Sequence, residues 1–269
     1  MRVLVLALSF LFLSSLTVNA AFNRTTLSVI IDVKKNGTAH IVEVIGLFMD
    51  SNDSIRKYEI SMSNVGTTID RWRNLTGVED IRLHTDAQHA LPANIQVLPQ
   101  RRTECNTIEG TCRATIRIEY DTLKPIFYTN RTKPRTVNFT LKKEVLSFEN
   151  SPTGAIVLPE FTNLTIRLPE GANILAVSPK PDNIPQGKEP PYRDVRELSW
   201  ATQSSKTTVG LELSFGLIEP IDVEVSEFFA DIESAIRHFV SAYWYVVVGI
   251  LLLSVSYYLY RYRRMSILG

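Results

Sequence analysis

Alternating hydrophobic and polar positions run through most of the chain and predict short β-strands. The first clear run has an apolar residue at every second position: Leu27, Val29, Ile31 and Val33. Asn36 and Gly37 follow as a left-handed turn, and β-branched residues resume at Ile41, so the pattern predicts a hairpin. Similar short runs continue to Phe215, which gives about ten strands separated by turn residues.

One segment, TTIDRWRNLTG, has helical periodicity instead. Thr68 can cap a helix through its hydroxyl group, and Ile69 and Trp72 would share one face of it. Gly77 lies just beyond the expected end, where a left-handed residue is common. The sequence therefore predicts one short helix among the strands.

This series of elements predicts a mostly β fold. We expect an antiparallel β-sandwich over residues 21–218, either one large module or two immunoglobulin-sized modules that divide near 121–135. Residues 178–194 hold five of the thirteen prolines and are expected to form an exposed loop. Such a loop is either a binding surface or a flexible insertion.

The start of the chain has the features of a secretory signal peptide. Arg2 gives a positive start, residues 3–13 are apolar, and small or compact residues precede Ala21. We predict a signal peptide over residues 1–20, cleaved between Ala20 and Ala21. The alternative is an uncleaved first anchor, which the shortness of the apolar run disfavours.

A second apolar run, near the end of the chain, predicts a transmembrane helix over residues 242–260. Its 19 residues at about 1.5 Å each give roughly 28 Å, close to the hydrocarbon thickness of a bilayer. Aromatic residues cluster at both ends, and three arginines follow, so residues 261–269 are expected to be a short cytoplasmic tail. A buried core helix, the alternative, would have to hide three consecutive aromatic residues. We therefore expect a single-pass protein of the cell membrane or a secretory-pathway membrane, with its N-terminus outside the cytoplasm.

Residues 219–241, just before this span, predict an amphipathic juxtamembrane helix. Their apolar residues follow one helical stripe, which must be covered by the ectodomain, the bilayer surface or another chain. Small residues in the span would allow a partner helix to approach closely. The candidates for contact with a partner helix, or for self-association, are Phe228, Phe229, Ile232, Ile236, Phe239, Gly249 and Ser254.

Potential glycosylation sites and two cysteines agree with a location outside the cytoplasm. The triplet Asn-x-Ser/Thr occurs seven times between the two apolar segments, at Asn23, Asn36, Asn52, Asn74, Asn130, Asn138 and Asn163. Asn138 lies inside a predicted strand and is the most suited to a structural role. Cys105 and Cys112 enclose six residues and are expected to form a disulfide that closes a hairpin loop. A metal site would need more ligands than this spacing offers.

Composition and charge narrow the range of functions. The chain has 269 residues, 45% of them hydrophobic, and a formal net charge of +1. Without Arg2 and the three tail arginines the charge is −3 (+1 − 4). The ectodomain therefore lacks the concentrated positive charge that nucleic-acid binding requires.

The sequence contains no recognisable catalytic or cofactor motif. The four histidines, His40, His84, His89 and His238, form no metal-ligand pattern, and neither a nucleophile elbow nor a phosphate-binding loop is present. Glu43, or Glu79 with Asp80, could be argued into an acid–base pair, but the usual role of such carboxylates is solvation of a surface. We expect a protein that is not an enzyme and needs no cofactor or metal.

One stretch resembles a known class of proteins. LTIRLPEGANILAVSPKPDN followed by ELSWA is similar to a strand, turn, strand and loop pattern in archaeal single-pass membrane-anchored surface proteins with a β-rich ectodomain of unknown function. The resemblance covers residues 26–218 and is generic, and no functional residue is carried over. It implies an archaeal cell surface, although eukaryotic secretory-pathway proteins share the same layout.

Three functions are consistent with these features. The leading hypothesis is a non-enzymatic membrane glycoprotein whose ectodomain binds a protein or a glycan at the cell surface. The alternative is an accessory subunit of a larger membrane complex, recognised through its transmembrane and juxtamembrane helices. A viral envelope glycoprotein has the same layout and is the third.

Overall fold

The protein is mostly β. The computed structural model describes residues 22–64, 66, 68–133, 135–150, 155–218 and 221–267, so the predicted signal peptide lies outside the described residues. The described strands are β1 (Phe22–Val33), β2 (Ala39–Met49), β3 (Pro92–Pro99), β4 (Thr103–Asn106), β5 (Thr111–Thr122), β6 (Phe127–Lys133), β7 (Thr136–Leu141), β8 (Glu149–Asn150), β9 (Ile156–Leu158), β10 (Thr162–Arg167), β11 (Asn173–Ser178), β12 (Glu197–Ala201), β13 (Thr207–Val209) and β14 (Glu212–Ile218). The helices are α1 (Asn52–Ser63), α2 (Ile69–Thr76), α3 (Ala87–Ala90) and α4 (Ile221–Ile267), with a 3-10 turn at Lys143–Val145.

The largest sheet has the strand order β12-β10-β1-β2-β5-β3, and β4 also pairs with β5. β1 and β2 form the predicted hairpin, with Gly37 at a φ of +79° in the turn between them. β1 also pairs with β10, in parallel, from Leu27 opposite Thr162 to Asp32 opposite Arg167. This parallel pair joins the first strand to one that lies more than a hundred residues later in the sequence.

Alternation along these strands directs every second side chain into the core. The inward positions of β5, Ala114, Ile116, Ile118 and Tyr120, are all buried, while the residues between them are half-buried or exposed. The same holds for β1, where Leu27, Val29 and Ile31 are buried. The period-2 pattern of the sequence thus identified the core face of the sheet correctly.

A second sheet has the order β11-β14-β7-β6, and a smaller third sheet has the order β13-β9-β8. Three phenylalanines from the second sheet pack together: the rings of Phe139 and Phe215 are stacked with centroids 4.8 Å apart, and Phe127 meets Phe215 edge-on at 5.1 Å. Side chains from all three sheets belong to one hydrophobic core.

The described chain consists of two compact units. One comprises residues up to 130 together with residues 137–217, and the other comprises residues 131–136 and 218 onward. The core of the first unit includes residues from both sides of positions 121–135, such as Ile118 and Phe139. Residues 127–130, which lie within the segment that the sequence suggested as a linker, belong to this unit and form the start of β6.

The prediction of a single short helix was incomplete. α2 matches the predicted helix: the Thr68 hydroxyl accepts a hydrogen bond from the N–H of Arg71, and Gly77 ends the helix in the left-handed conformation. The 12-residue α1 was missed. Its signals are a capping box between Ser51 and Ser54 and two buried residues one turn apart, Ile55 and Tyr58.

The second unit contains the long helix α4, which has a break at Tyr243 (φ −121°, ψ 23°). The break lies beside the predicted boundary between residues 219–241 and 242–260. Within the described residues no single helix is long and apolar enough to cross a membrane by itself. The segments Phe229–Val246 and Val248–Arg263, which are bent by 57° relative to each other, together have the length and composition expected of a membrane span.

Candidate functional site

A buried carboxylate lies in the middle of the largest sheet. Glu43 is on the core-facing side of β2, with the apolar residues Val29 and Ile118 opposite it on the neighbouring strands. Its exposure is 0%. An ionised group in such a place is costly unless hydrogen bonds compensate for the lost water.

Three donors converge on this carboxylate. The phenol of Tyr120 donates to Oε1 over 2.6 Å, and the backbone N–H of His84 donates to the same oxygen over 2.8 Å. Nδ1 of His84 lies 2.7 Å from Oε2. Thr85 completes the group by donating its hydroxyl proton to the Tyr120 oxygen over 3.1 Å. We call these four residues the Glu43 cluster.

The Glu43 cluster is closed to solvent. All four side chains are buried, and burial together with the neighbouring Glu43 charge raises the pKa of Tyr120 well above its usual value. Nε2 of His84 is buried without a hydrogen-bond partner among the described residues, and the ring packs on Phe148 with centroids 5.0 Å apart. A carboxylate that orients an imidazole also occurs in catalytic triads. Here no described hydroxyl or thiol lies within hydrogen-bond distance of Nε2.

The geometry gives the Glu43 cluster a structural role. The segment around His84 also pairs with the chain near Leu146: Ser147 donates its N–H to the His84 carbonyl over 2.8 Å, and Asp86 donates to the Val145 carbonyl over 2.7 Å. The cluster therefore fixes a long connection between α2 and β3 onto the centre of the sheet.

The two edges of the largest sheet differ in whether their outward backbone groups have hydrogen-bond partners. At the β12 edge, the loop of residues 178–194 satisfies the outward backbone groups. Asp182 accepts the N–H of Ala201 through its carboxylate over 2.7 Å and donates its own N–H to the Ser199 carbonyl over 2.8 Å. Asn183 accepts the N–H of Ser199 and donates to the Glu197 carbonyl. The proline-rich loop thus covers a sheet edge, a role that the sequence did not suggest.

The opposite edge, formed by β3, is open. Gln100 donates its N–H to the Thr115 carbonyl on β5 over 2.8 Å. Hydrogen-bonded pairs alternate along an antiparallel ladder, so the N–H and C=O of Val97 point away from β5. Proline at position 99, which occupies the next outward position, has no N–H to leave unpaired. Ile95 and Leu98, 47% and 39% exposed, add apolar surface to this edge.

A groove of about 570 Å³ runs between this edge and the start of α2. We call it the β3 groove; its described lining residues are Gly66, Thr68, Ile69, Asp70, Ile95, Gln96, Val97 and Leu98. α1 and α2 are held beside the strand by the core: the Tyr58 hydroxyl donates to the Gln100 and Thr115 carbonyls, and its ring packs on Trp72. The groove is therefore bounded by a strand on one side and a fixed helix on the other.

The predicted disulfide is confirmed. Cys105 and Cys112 are bonded and close the β4–β5 hairpin. At the tip of this loop Ile108 is 95% exposed, and the Asn106 side chain accepts the N–H groups of Ile108 and Glu109. The disulfide thus holds a tight turn. Among the described residues, no group of three or more His, Cys, Asp or Glu side chains could hold a metal ion.

Six of the seven candidate glycosylation sites are exposed: Asn23, Asn36, Asn52, Asn74, Asn130 and Asn163. Asn138 is half-buried on β7. The amide oxygen of Asn36 accepts two hydrogen bonds from Thr38 in the hairpin turn. Glycosylation requires solvent access, and the fold provides it at these six sites. The attachment of glycans stays a prediction.

The candidate partner-helix residues all lie on α4. Large apolar side chains on the stripe are exposed within the described unit: Phe229, Ile232, Ile236 and Phe239. The side chain of Phe228 lies outside the described residues. Gly249 has open space around its Cα, and the Ser254 hydroxyl donates to the Ile250 carbonyl within the helix.

Comparison with known proteins gives no assignment. No protein-family model matches the sequence, and no curated protein matches it. The residues of the β3 groove and the Glu43 cluster were not identified from the sequence as sites. For Glu43 a signal was present, since an acidic residue interrupts the apolar alternation of a predicted strand. The groove depends on strand order, which local periodicity does not encode.

Proposed function

We propose that the protein is a single-pass membrane glycoprotein whose β-sandwich ectodomain binds a partner protein outside the cytoplasm. The observation that carries the proposal is the composition of α4: no Asp, Glu, Lys or Arg occurs from residue 239 to residue 260, and the described large apolar side chains there are exposed. Exposed apolar surface of this length is unfavourable in water and favourable in a bilayer.

The orientation of the anchor follows from its flanking charges. Arg261, Arg263 and Arg264 lie on one side, and the first unit with its exposed asparagine triplets precedes the other side. The positive-inside tendency puts the arginines in the cytoplasm. The disulfide between Cys105 and Cys112 supports the same orientation, because such bonds persist in oxidising compartments.

A sandwich arrangement accounts for the core. Two sheets each contribute buried side chains to a single cluster, as face-to-face packing of sheets requires. Binding is the activity assigned to this unit because its exposed features are a groove beside an open sheet edge and an apolar loop tip. The Glu43 cluster is assigned to stability.

The alternative is an accessory subunit recognised through α4, and the exposed stripe of Ile232, Ile236 and Phe239 favours it. Chemical crosslinking in native membranes, followed by mass spectrometry, separates the two. The natural chain is compared with one in which residues 242–260 are replaced by an unrelated apolar helix. We expect the crosslinked partners to be unchanged. Loss of the partners with an unchanged amount of membrane-inserted protein would favour the accessory subunit.

A further inference from the structure

We infer that the β3 groove binds an extended segment of a partner protein, which joins the largest sheet as an additional strand next to β3. This inference rests on the proposed function, because it names the class of partner and the surface that the ectodomain uses. Its test is separate, since it concerns the groove and does not depend on the membrane anchor.

The backbone of β3 selects an extended chain as the occupant. Val97 directs both an N–H and a C=O away from β5, and within the described residues neither group has a partner in the hydrogen bonds outside the sheet. A neighbouring strand satisfies such a donor and acceptor at the spacing of a β ladder. At the β12 edge these positions are already taken by Asp182 and Asn183.

The side chains around the edge favour apolar residues at alternate positions of the segment. A strand added beside β3 would direct every second side chain toward the side of α2, where Ile69 and Val97 line the groove. Its other side chains would lie beside Leu98, which also borders the groove. The groove volume of about 570 Å³ is in the range of sites that hold small ligands or a few side chains.

Charge next to the strand favours an acidic residue in the segment. Arg101 follows the end of β3, is exposed, and has no ion pair among the described residues. Arg102, beside it, is already paired with Glu59 over 2.8 Å. An acidic side chain at that end of the segment would therefore meet an available guanidinium group.

The size of the site favours a short segment over a second copy of this chain. β3 has 8 residues, a length that one extended segment covers, whereas a stable protein–protein interface uses roughly 20–30 residues on each side. A peptide that supplies backbone hydrogen bonds and two or three apolar anchors fits an edge of this length.

The test measures peptide binding to the full chain in detergent micelles by fluorescence anisotropy. The probe is a pool of labelled heptapeptides with apolar residues at alternate positions and one terminal acidic residue. Binders are retested after N-methylation of alternate backbone amides, which removes donors and keeps the side chains. Val97→Pro removes the outward N–H without removing a bond to β5, Leu98→Glu adds charge at the edge, and Ile108→Glu is the control at an exposed apolar site elsewhere.

We expect individual peptides to bind, with affinity lowered about tenfold or more by N-methylation and by Val97→Pro, in line with the loss of one or two hydrogen bonds. Leu98→Glu should lower the affinity by about as much, because it places a charge beside the apolar side chains of the peptide. The Ile108→Glu protein should bind as the natural chain does. N-methylation tests the proposal even if Val97→Pro disturbs folding. Binding that ignores N-methylation and both β3 variants would overturn the inference and leave the proposed function standing, as would no binding by any peptide. Self-association abolished by Val97→Pro would replace the peptide with a second copy and would also overturn it.

Discussion

Nδ1 of His84 lies 2.7 Å from the Glu43 carboxylate, and neither side chain is exposed to solvent. Glu43 stands at the centre of a sheet, and His84 stands on the connection that follows α2. Their contact joins two parts of the chain that are 41 residues apart. The stability of the first unit should therefore depend on this polar group within an otherwise apolar core.

Removing the carboxylate should be strongly destabilising. Glu43→Ala leaves the donors of His84 and Tyr120 buried without an acceptor, which costs about 3–5 kcal/mol in the free energy of unfolding. Tyr120→Phe removes one donor and should cost about 1–3 kcal/mol. Urea unfolding of the full chain in micelles measures both. Glu79→Gln, at an exposed acidic residue, is the control and should change little; equal losses for all three variants would contradict the role of the cluster.

Alkaline conditions should destabilise the first unit. Burial and the Glu43 charge raise the pKa of Tyr120, and burial raises the pKa of Tyr58. An unfolded tyrosine ionises at about pH 10. Both groups therefore contribute stability that is fully present below that value and is lost as pH rises toward their folded pKa values.

The urea midpoint, followed from pH 9 to about pH 11, tests this dependence. We expect a steeper fall for the natural chain than for Tyr120→Phe or Tyr58→Phe. Tyr128→Phe, at an exposed tyrosine, is the matched control and should keep the slope of the natural chain. Identical slopes for the natural chain and the two core variants would show that these phenols do not govern the effect.

Loss of the disulfide should have a moderate effect. The Cys105–Cys112 bond closes a short loop, with a sequence separation of 7. Loop-closure entropy for this length gives about 2–3 kcal/mol. Replacing both cysteines by serine should lower the unfolding free energy by that amount, as measured by urea unfolding with and without reductant. Reductant should leave the double variant unchanged, and a natural chain equally insensitive to complete reduction would contradict the estimate.

The loop over the β12 edge should protect specific amides. The Ala201 N–H is bonded to the Asp182 carboxylate, so Asp182→Ala should accelerate the hydrogen exchange of this amide. The N–H of Leu198, a buried residue paired with β10, should stay protected. Asp194→Ala, in the same loop and exposed, is the control. Hydrogen exchange read by mass spectrometry measures this. Unchanged exchange at position 201 would mean that the loop does not close the edge.

Local pattern predicted those parts of the fold that depend on neighbouring residues. The hairpin at Gly37, the helix from Thr68 to Gly77 and the disulfide follow from turn chemistry, capping and spacing, and all are present. The parallel pairing of β1 with β10 was not predictable, because alternation does not specify which distant strands are neighbours. α1 was missed because few of its residues are apolar and its signals are confined to Ser51, Ser54, Ile55 and Tyr58.

The candidate site was less predictable than the fold for the same reason. Val97 and Ile69 are 28 positions apart, and they line one groove only because β3 is the last strand of the sheet and α2 lies beside it. The edge-covering role of Asp182 likewise required knowledge that β12 ends the sheet at the other side. By contrast, the anchor and the arginines that follow it depend only on local composition and charge, so they could be proposed from the sequence directly.

Protease protection in sealed right-side-out vesicles tests the proposed orientation most directly. The chain carries an epitope tag after Gly269, and antibodies detect the tag and the first unit separately. We expect added protease to degrade the first unit and to leave a small tagged fragment that resists alkaline carbonate extraction, since the proposed anchor over residues 242–260 lies between the first unit and the tag. A tag that is cleaved while residues 22–218 remain intact, or a full-length chain released by carbonate, would contradict the account.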